Sequence, residues 1–307
     1  MKKRIQNRLA ESRFAFPVMI IYGLAVWLGA GTVAEEAYLQ LAFFVASTLL
    51  MMMLNNTNSL IRIYSRMVSC SFVAMTCAAT FLFSSLESCA TGMCFILFYL
   101  SLLRSYQDKR APGIAFYSFA CLGIASLFFV QILYFVPFLW ILMASNMMAL
   151  THRMFWATVL GLVMPYWFAV GYYVVTNQFD AFIDHFAELA QFEPLLQYEA
   201  LDIHRIATFG LVVLLAVIGI IHYMRNSYQD KIRTRMIFEM FITVDILSFV
   251  FIILQPQHFD NLLPIIIVNT SCLFAHYVAL TRTWLTNVTF IVMCLATLGL
   301  TIFNLMP

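Results

Sequence analysis

Residues 236–254 read MIFEMFITVDILSFVFIIL. The run holds no Gly or Pro, and its only charges are Glu239 and Asp245. As a helix it is about 28 Å long, close to the ~30 Å of a bilayer's hydrocarbon layer. A surface helix of a soluble domain would carry a polar stripe instead. Asp245 falls nine residues into the run, or about 13 Å along the axis, near the midplane. Ionisable groups are costly at that depth and mark function when they occur there.

Ten further stretches share this character: 14–31, 38–54, 67–86, 90–103, 112–130, 132–150, 154–175, 206–224, 262–280 and 284–304. The fifth and sixth nearly merge, so a turn near Phe129–Gln131 is required to split them. Composition agrees. Of 307 residues, 63% are hydrophobic and 10% are charged, where a soluble domain carries roughly 25% charge. Mean hydropathy is +0.88. These values exclude a soluble globular domain, a disordered chain and a disulfide-rich secreted module. The expected fold is an all-α polytopic transmembrane bundle of about 11 spans. Residues 1–307 form one integral membrane domain with the lipid bilayer as its solvent.

The charges test the span count independently. With the N-terminus cytoplasmic and the spans alternating, 16 of the 17 Lys and Arg residues fall inside. Arg205 alone falls outside. Glu35, Glu36, Glu87, Asp180, Asp184, Glu188, Glu193, Glu199, Asp202 and Asp260 fall outside with it. The C-terminus is then outside, and the expected location is a bacterial inner membrane. Span one also fits a signal peptide ending at Thr32-Val33-Ala34. Its long charged stretch and long apolar run favour a retained span.

Two loops stand out. The outer loop, roughly 176–205, places Phe179, Phe182, Ile183, Phe186 and Leu189 at helical spacing against an acidic stripe of Asp180, Asp184 and Glu188. This predicts an amphipathic interfacial helix, capped by Thr176 or Asn177 and stopped at Glu193-Pro194. His185 beside Asp184 and Glu188 raises the idea of a metal site, but interfacial packing is the default and no metal is expected. The inner loop 225–235 is basic, suited to anionic headgroups or to a cytoplasmic partner. Net charge is +2 and scattered, which excludes a nucleic-acid-binding stripe.

Chemistry-bearing residues fall into two groups. Inside the membrane, Asp245 and Asn269 reach similar depth from opposite ends and form a candidate substrate or proton site. Glu239 and His276 are a candidate second pair nearer the cytoplasm. At the outer surface Glu35, Glu36, His258 and Asp260 supply carboxylates and an imidazole suited to general-base work. His204 and Arg205 are candidate substrate contacts beside them. Of seven cysteines, Cys70 and Cys77 share a helix face, and the five-residue spacing of Cys89 and Cys94 at a helix end argues against a disulfide between them. No cofactor is implied: His152, His185, His204, His222, His258 and His276 do not read as haem-ligand pairs at matching depth on opposing spans.

Three segments carry a resemblance: Leu54-Asn55-Asn56-Thr57-Asn58, the run Phe119–Phe128 leading to Pro137-Phe138-Leu139-Trp140, and Gln255-Pro256-Gln257-His258-Phe259-Asp260-Asn261-Leu262-Leu263-Pro264. Together they resemble an uncharacterised family of multi-pass inner-membrane proteins of Bacteroidota. The layout is similar to that of GT-C glycosyltransferases and envelope polysaccharide polymerases. That resemblance implies outer-face chemistry on a polyprenyl-linked glycan, with Glu35 or Glu36 as base or metal contact and Arg205 on the pyrophosphate. Three expectations stand open: an enzyme handling lipid-linked envelope glycans, a transporter or flippase using Asp245, and a non-catalytic scaffold gathering other envelope membrane proteins.

Overall fold

The computed structural model describes residues 4–32, 36–191 and 201–306. Among them there are helices and no strands. In chain order the α-helices are α1 (Ile5–Ala10), α2 (Ala15–Gly29), α3 (Tyr38–Asn58), α4 (Met67–Ala78), α5 (Leu86–Leu102), α6 (Pro112–Phe128), α7 (Val136–Ser145), α8 (His152–Val175), α9 (Phe179–Ala187), α10 (Ile203–Asn226), α11 (Ile232–Leu254), α12 (Phe259–Leu280) and α13 (Trp284–Leu305). Seven helical segments, built on α3, α5, α8, α10, α11, α12 and α13, are long and apolar enough to cross a membrane. Four shorter apolar helices accompany them: α2, α4, α6, and α7 together with the 3-10 turn before it. The architecture is that of a multi-pass membrane protein.

The bundle is organised around α12. Of its apolar window 94% is buried inside the protein, against 22% for α8 and 17% for α13. It packs on α4, α5, α10 and α11 and touches α1. Lipid is as apolar as any side chain, so such packing rests on close fit and polar contacts. The sequence of α12 supplies both. Cys272, Ala275 and Ala279 allow approach, while Asn269, Thr270, Ser271 and His276 are fully buried. At Gly219 of α10 an added Cβ would stand 2.9 Å from the Leu273 carbonyl carbon of α12.

The second tight pair is α6 against α8. Gly123 and Gly161 face across it. A Cβ at Gly123 would stand 2.7 Å from the Leu162 carbonyl oxygen, and one at Gly161 would collide with the Phe116 carbonyl oxygen. The expected break between α6 and α7 is present. Phe129 is extended, and a 3-10 turn over Val130–Phe135 leads into α7, where Pro137 occupies the first turn. Proline suits that position because the first helical N–H groups lack partners anyway.

The expected amphipathic helix forms as α9, with its phenylalanines against the bundle and a different cap. Phe182 and Phe186 pack on Tyr166 of α8, with ring centroids 6.4 and 4.9 Å apart. Tyr134 donates its hydroxyl proton to the Leu189 carbonyl oxygen. His185 Nε2 lies 3.0 Å from the Ser126 carbonyl oxygen, so its hydrogen bond runs to the bundle. The N-cap is Gln178, without a side-chain bond. Thr176 instead donates back to Tyr172 at the end of α8, at 2.9 Å. Glu193 and Pro194 lie outside the described residues. Cys89 and Cys94 are both free thiols, and Cys89 Sγ donates to the Leu82 carbonyl oxygen at 3.5 Å.

Candidate functional site

Asp245 lies in the middle of α11, beside the polar stretch of α12. Its side chain, with those of Asn269, Thr270 and Tyr99, is wholly buried. Thr270 Oγ1 donates to Asp245 Oδ2 at 3.0 Å. Tyr99 of α5 donates its hydroxyl to Asn269 Oδ1 at 2.8 Å. The Tyr99 ring is fixed edge-on between Phe95 and Phe241, each centroid 4.9 Å away. Asn269 also lies close enough to interact with the Asp245 carboxyl. Nevertheless Asp245 Oδ1 and Asn269 Nδ2 each lack a well-formed hydrogen-bond partner among the described residues. Native interiors leave few such groups, and each asks for an occupant or a function. Three helices thus converge on a carboxyl with one oxygen held by Thr270 and the Asn269 amide beside it. The sequence pointed to Asp245 and Asn269. Tyr99 and Thr270 were not visible in it, because a Tyr or Thr in an apolar run carries no sign of what it faces.

The expected Glu239–His276 pair is not formed. His276 Nε2 pairs with Asp230 Oδ2 at 2.9 Å, with both side chains almost fully enclosed (0% and 2% exposed). Glu239 Oε2 instead accepts from Asn146 Nδ2 at 3.0 Å. Helix periodicity explains the swap. Asn269 and His276 are seven residues apart and share a face of α12. Glu239 and Asp245 are six apart, so when Asp245 faces α12, Glu239 points about a third of a turn away. Asp230, folding in from the α10–α11 loop, takes the vacancy. His222 of α10 lies directly against His276, ring centroids 5.4 Å apart. The two rings are in direct contact, which leaves no room for a macrocycle between them.

At the opposite end Arg205 and Asp260 meet as a bidentate pair. Arg205 Nε donates to Oδ1 and Nη2 to Oδ2, both at 2.9 Å. The guanidinium also lies over the Phe81 ring, 5.2 Å from its centroid. The expected division of labour, a cation for pyrophosphate and a carboxylate for proton transfer, is therefore closed in on itself. His204 Nδ1 bonds Asn304 Oδ1 at 2.9 Å, and its ring stacks on Phe303. His258 is set between Phe129 and Phe251, 5.5 and 5.8 Å away. Glu36 is exposed in a left-handed turn with φ 54°. It makes no side-chain hydrogen bond or ion pair to this group among the described residues. Glu35 lies outside them. The outer residues thus gather in part: Arg205 with Asp260, and His258 two residues away in sequence.

One feature of the bundle's flank bears on lipid. An apolar groove of about 560 Å³ runs between α1, α2, α4 and α13, lined among others by Leu9, Val18, Met75 and Leu298. Comparison with known proteins leaves this geometry to speak alone: no family model, no curated protein and no solved structure matches the chain.

Proposed function

We propose that this chain is an inner-membrane carrier with eleven spans and a cytoplasmic N-terminus, in which Asp245 is the protonation site coupled to transport. The observation that carries the reading is the carboxyl of Asp245, wholly buried in the bundle between α5, α11 and α12 with only the neutral side chains of Thr270 and Asn269 beside it. A purely structural clasp would be served equally well by two matched neutral groups, and a carboxyl in a dry interior is costly. The adjoining helix α12 bears Asp260 at one end, Asn269 and Thr270 midway, and His276 with its Asp230 partner towards the other. Six to ten residues of α12 separate these stations, or roughly 9–15 Å. Titratable groups therefore lie against α12 at three levels: its own Asp260 and His276 and, between them, Asp245 of α11. The eleven-span count is supported by the four shorter apolar helices, which fall on the remaining expected stretches.

The test needs no known substrate. Proteoliposomes on a solid-supported membrane are given a pH jump, and the transient charge displacement is recorded. Wild type gives a transient that Asp245→Asn abolishes, with Asp245→Glu retaining part of it. An Asp245→Asn variant of unchanged thermal stability and unchanged transient refutes the reading, and then the scaffold expectation gains.

A second reading rests on the apolar groove. Its size and its all but wholly apolar wall suit an acyl or prenyl chain, which favours handling of a lipid-linked envelope glycan. In that reading Glu36, His258, Asp260 and Arg205 contact the glycan at the acidic end, after the Arg205–Asp260 pair opens. Native mass spectrometry of gently extracted protein decides it: a retained polyprenyl phosphate supports the reading, and ordinary phospholipid alone refutes it.

A further inference from the structure

At the end of α12 opposite Asp260, side chains from α10, α12 and the loop between α10 and α11 meet in the interior. His276 and Asp230 are enclosed there, with Nε2 2.9 Å from Oδ2. A carboxylate only accepts, so Nε2 carries the ring hydrogen and Nδ1 is the open nitrogen. Among the described residues Nδ1 has no hydrogen-bond partner. His222 of α10 stands against it, ring centroids 5.4 Å apart. The tautomer of His222 is set by Asn226. Asn226 Nδ2 donates to the His222 carbonyl oxygen at 2.9 Å and to His222 Nδ1 at 3.1 Å. The carbonyl only accepts, which fixes the nitrogen end of the amide, so Nδ1 of His222 is an acceptor and Nε2 bears its hydrogen. A second proton on His222 would set Nδ1–H against the Asn226 N–H. Of two touching imidazoles, one therefore has no nitrogen open to a proton. The other, His276, has a lone pair at Nδ1 and a carboxylate behind Nε2, which is the arrangement of a general base.

The pair stands between water and the Asp245 site. Towards the surface, Arg62 lies 4.0 Å from Asp230 Oδ1 with its own side chain 38% exposed. Towards the centre, the Phe238 ring is 4.9 Å from His276 and Phe241 is 5.8 Å from Phe238. Tyr99, bonded to Asn269, is 4.9 Å from Phe241. Thr270, which holds Asp245, precedes His276 by six residues, or about 9 Å along α12. Proton transfer needs heavy atoms roughly 3 Å apart, so no proton passes until the two phenylalanines part. The remaining titratable and charged neighbours are few. Tyr223 is 5.7 Å from the His276 ring and donates to the Arg235 carbonyl oxygen. Tyr277 packs on His222, and Arg225 is within electrostatic reach of it. Glu239 and Arg235 are within reach of Tyr223. None of them is hydrogen-bonded to His276 Nδ1.

We propose that His276 is the residue through which Asp245 exchanges its proton with the cytoplasm, with Asp230 as counter-charge, His222 as a neutral neighbour, and Phe238 and Phe241 as the gate. In release, the Asp245 O–H bond breaks and an Nδ1–H bond forms on His276. Asp245 is left as a carboxylate, and the new imidazolium faces the Asp230 carboxylate. The Nε2 hydrogen then crosses the 2.9 Å bond to Asp230 Oδ2 and passes to water beside Arg62. A half-turn of the ring resets the pair, and uptake runs in reverse. This rests on the carrier reading and adds to it the side and the residue of proton exchange.

Proteoliposomes sorted by orientation present one face or the other to a pH jump on a solid-supported membrane. Rate and total displaced charge are read separately. His276→Gln is expected to slow the transient about a hundredfold from the cytoplasmic face, the low end of what a positioned base contributes. The rate from the outer face and the total charge, which Asp245 sets, stay at wild type. Asp230→Asn keeps an acceptor for the ring but loses the counter-charge and the relay, so it slows the same face. Where His276→Gln fails to fold, Asp230→Asn decides. An unslowed cytoplasmic face in these variants, with a transient that Asp245→Asn abolishes, overturns this inference and leaves the carrier reading standing. Equal slowing from both faces gives His276 a structural role and overturns it as well. A transient that survives Asp245→Asn refutes the carrier reading, and this inference falls with it.

Discussion

Gly123→Ala and Gly171→Ala make the same chemical change in neighbouring helices and should shift stability in opposite directions. At Gly123 the new methyl would stand 2.7 Å from the Leu162 carbonyl oxygen and 3.0 Å from Pro165 Cγ. Carbon–oxygen contacts settle near 3.3 Å, so α6 and α8 must part by about 0.6 Å. The obstacle is backbone, which cannot swing aside as a flexible side chain can. Forcing a methylene into a packed interface costs roughly 1–3 kcal/mol. Replacing Gly inside a helix returns at most about 1 kcal/mol. The net expectation is a loss of about 1 kcal/mol. At Gly171, further along α8, nothing lies within 4 Å of the added Cβ, and only the helix-propensity gain remains. The two variants should then differ by about 2 kcal/mol, roughly thirtyfold in the folded-to-unfolded ratio. Thermal unfolding in one detergent, read by fluorescence-detected size exclusion, orders them: Gly171→Ala at or above wild type, Gly123→Ala several degrees below. A Gly123→Ala protein as stable as Gly171→Ala would show that α6 and α8 do not touch along this seam.

Two further outcomes follow from burial. His276→Ala leaves Asp230 enclosed without its imidazole, with Arg62 standing 4.0 Å away. It should lower stability by roughly 3 kcal/mol, whereas Asp230→Asn, which keeps an acceptor for the ring, should cost clearly less. Equal stability of His276→Ala and wild type would contradict the pairing. Cys294 is an exposed thiol midway along α13. In vesicles it should react with a membrane-soluble pyrene maleimide and resist a charged maleimide applied from either side. Modification by the charged reagent would show that this face of α13 meets water.

The sequence by itself determined the class of solvent, the helical character and the place of Asp245 within a long apolar helix. Hydrophobic run length and total charge are sums over neighbouring residues, so they survive without knowledge of the fold. The break after Phe128 follows from the same local arithmetic, but the boundaries do not: the expected run 67–86 breaks after Ala78, and 132–150 gives an α-helix over Val136–Ser145 only. Tertiary structure decided who faces whom. Whether His276 meets Glu239 or Asp230 depends on the rotation of α11 about its axis and on a loop folding inward. The sevenfold spacing of Asn269 and His276, set against the sixfold spacing of Glu239 and Asp245, held a clue to that outcome. Arg205 and Asp260 are 55 residues apart, and only the docking of α10 on α12 turns two candidate site residues into one closed pair. A cleft of about 420 Å³ likewise joins a loop near residue 60 to one near residue 230. Each reads in isolation as a polar turn, because a cavity is a property of the space between segments and no single segment encodes it.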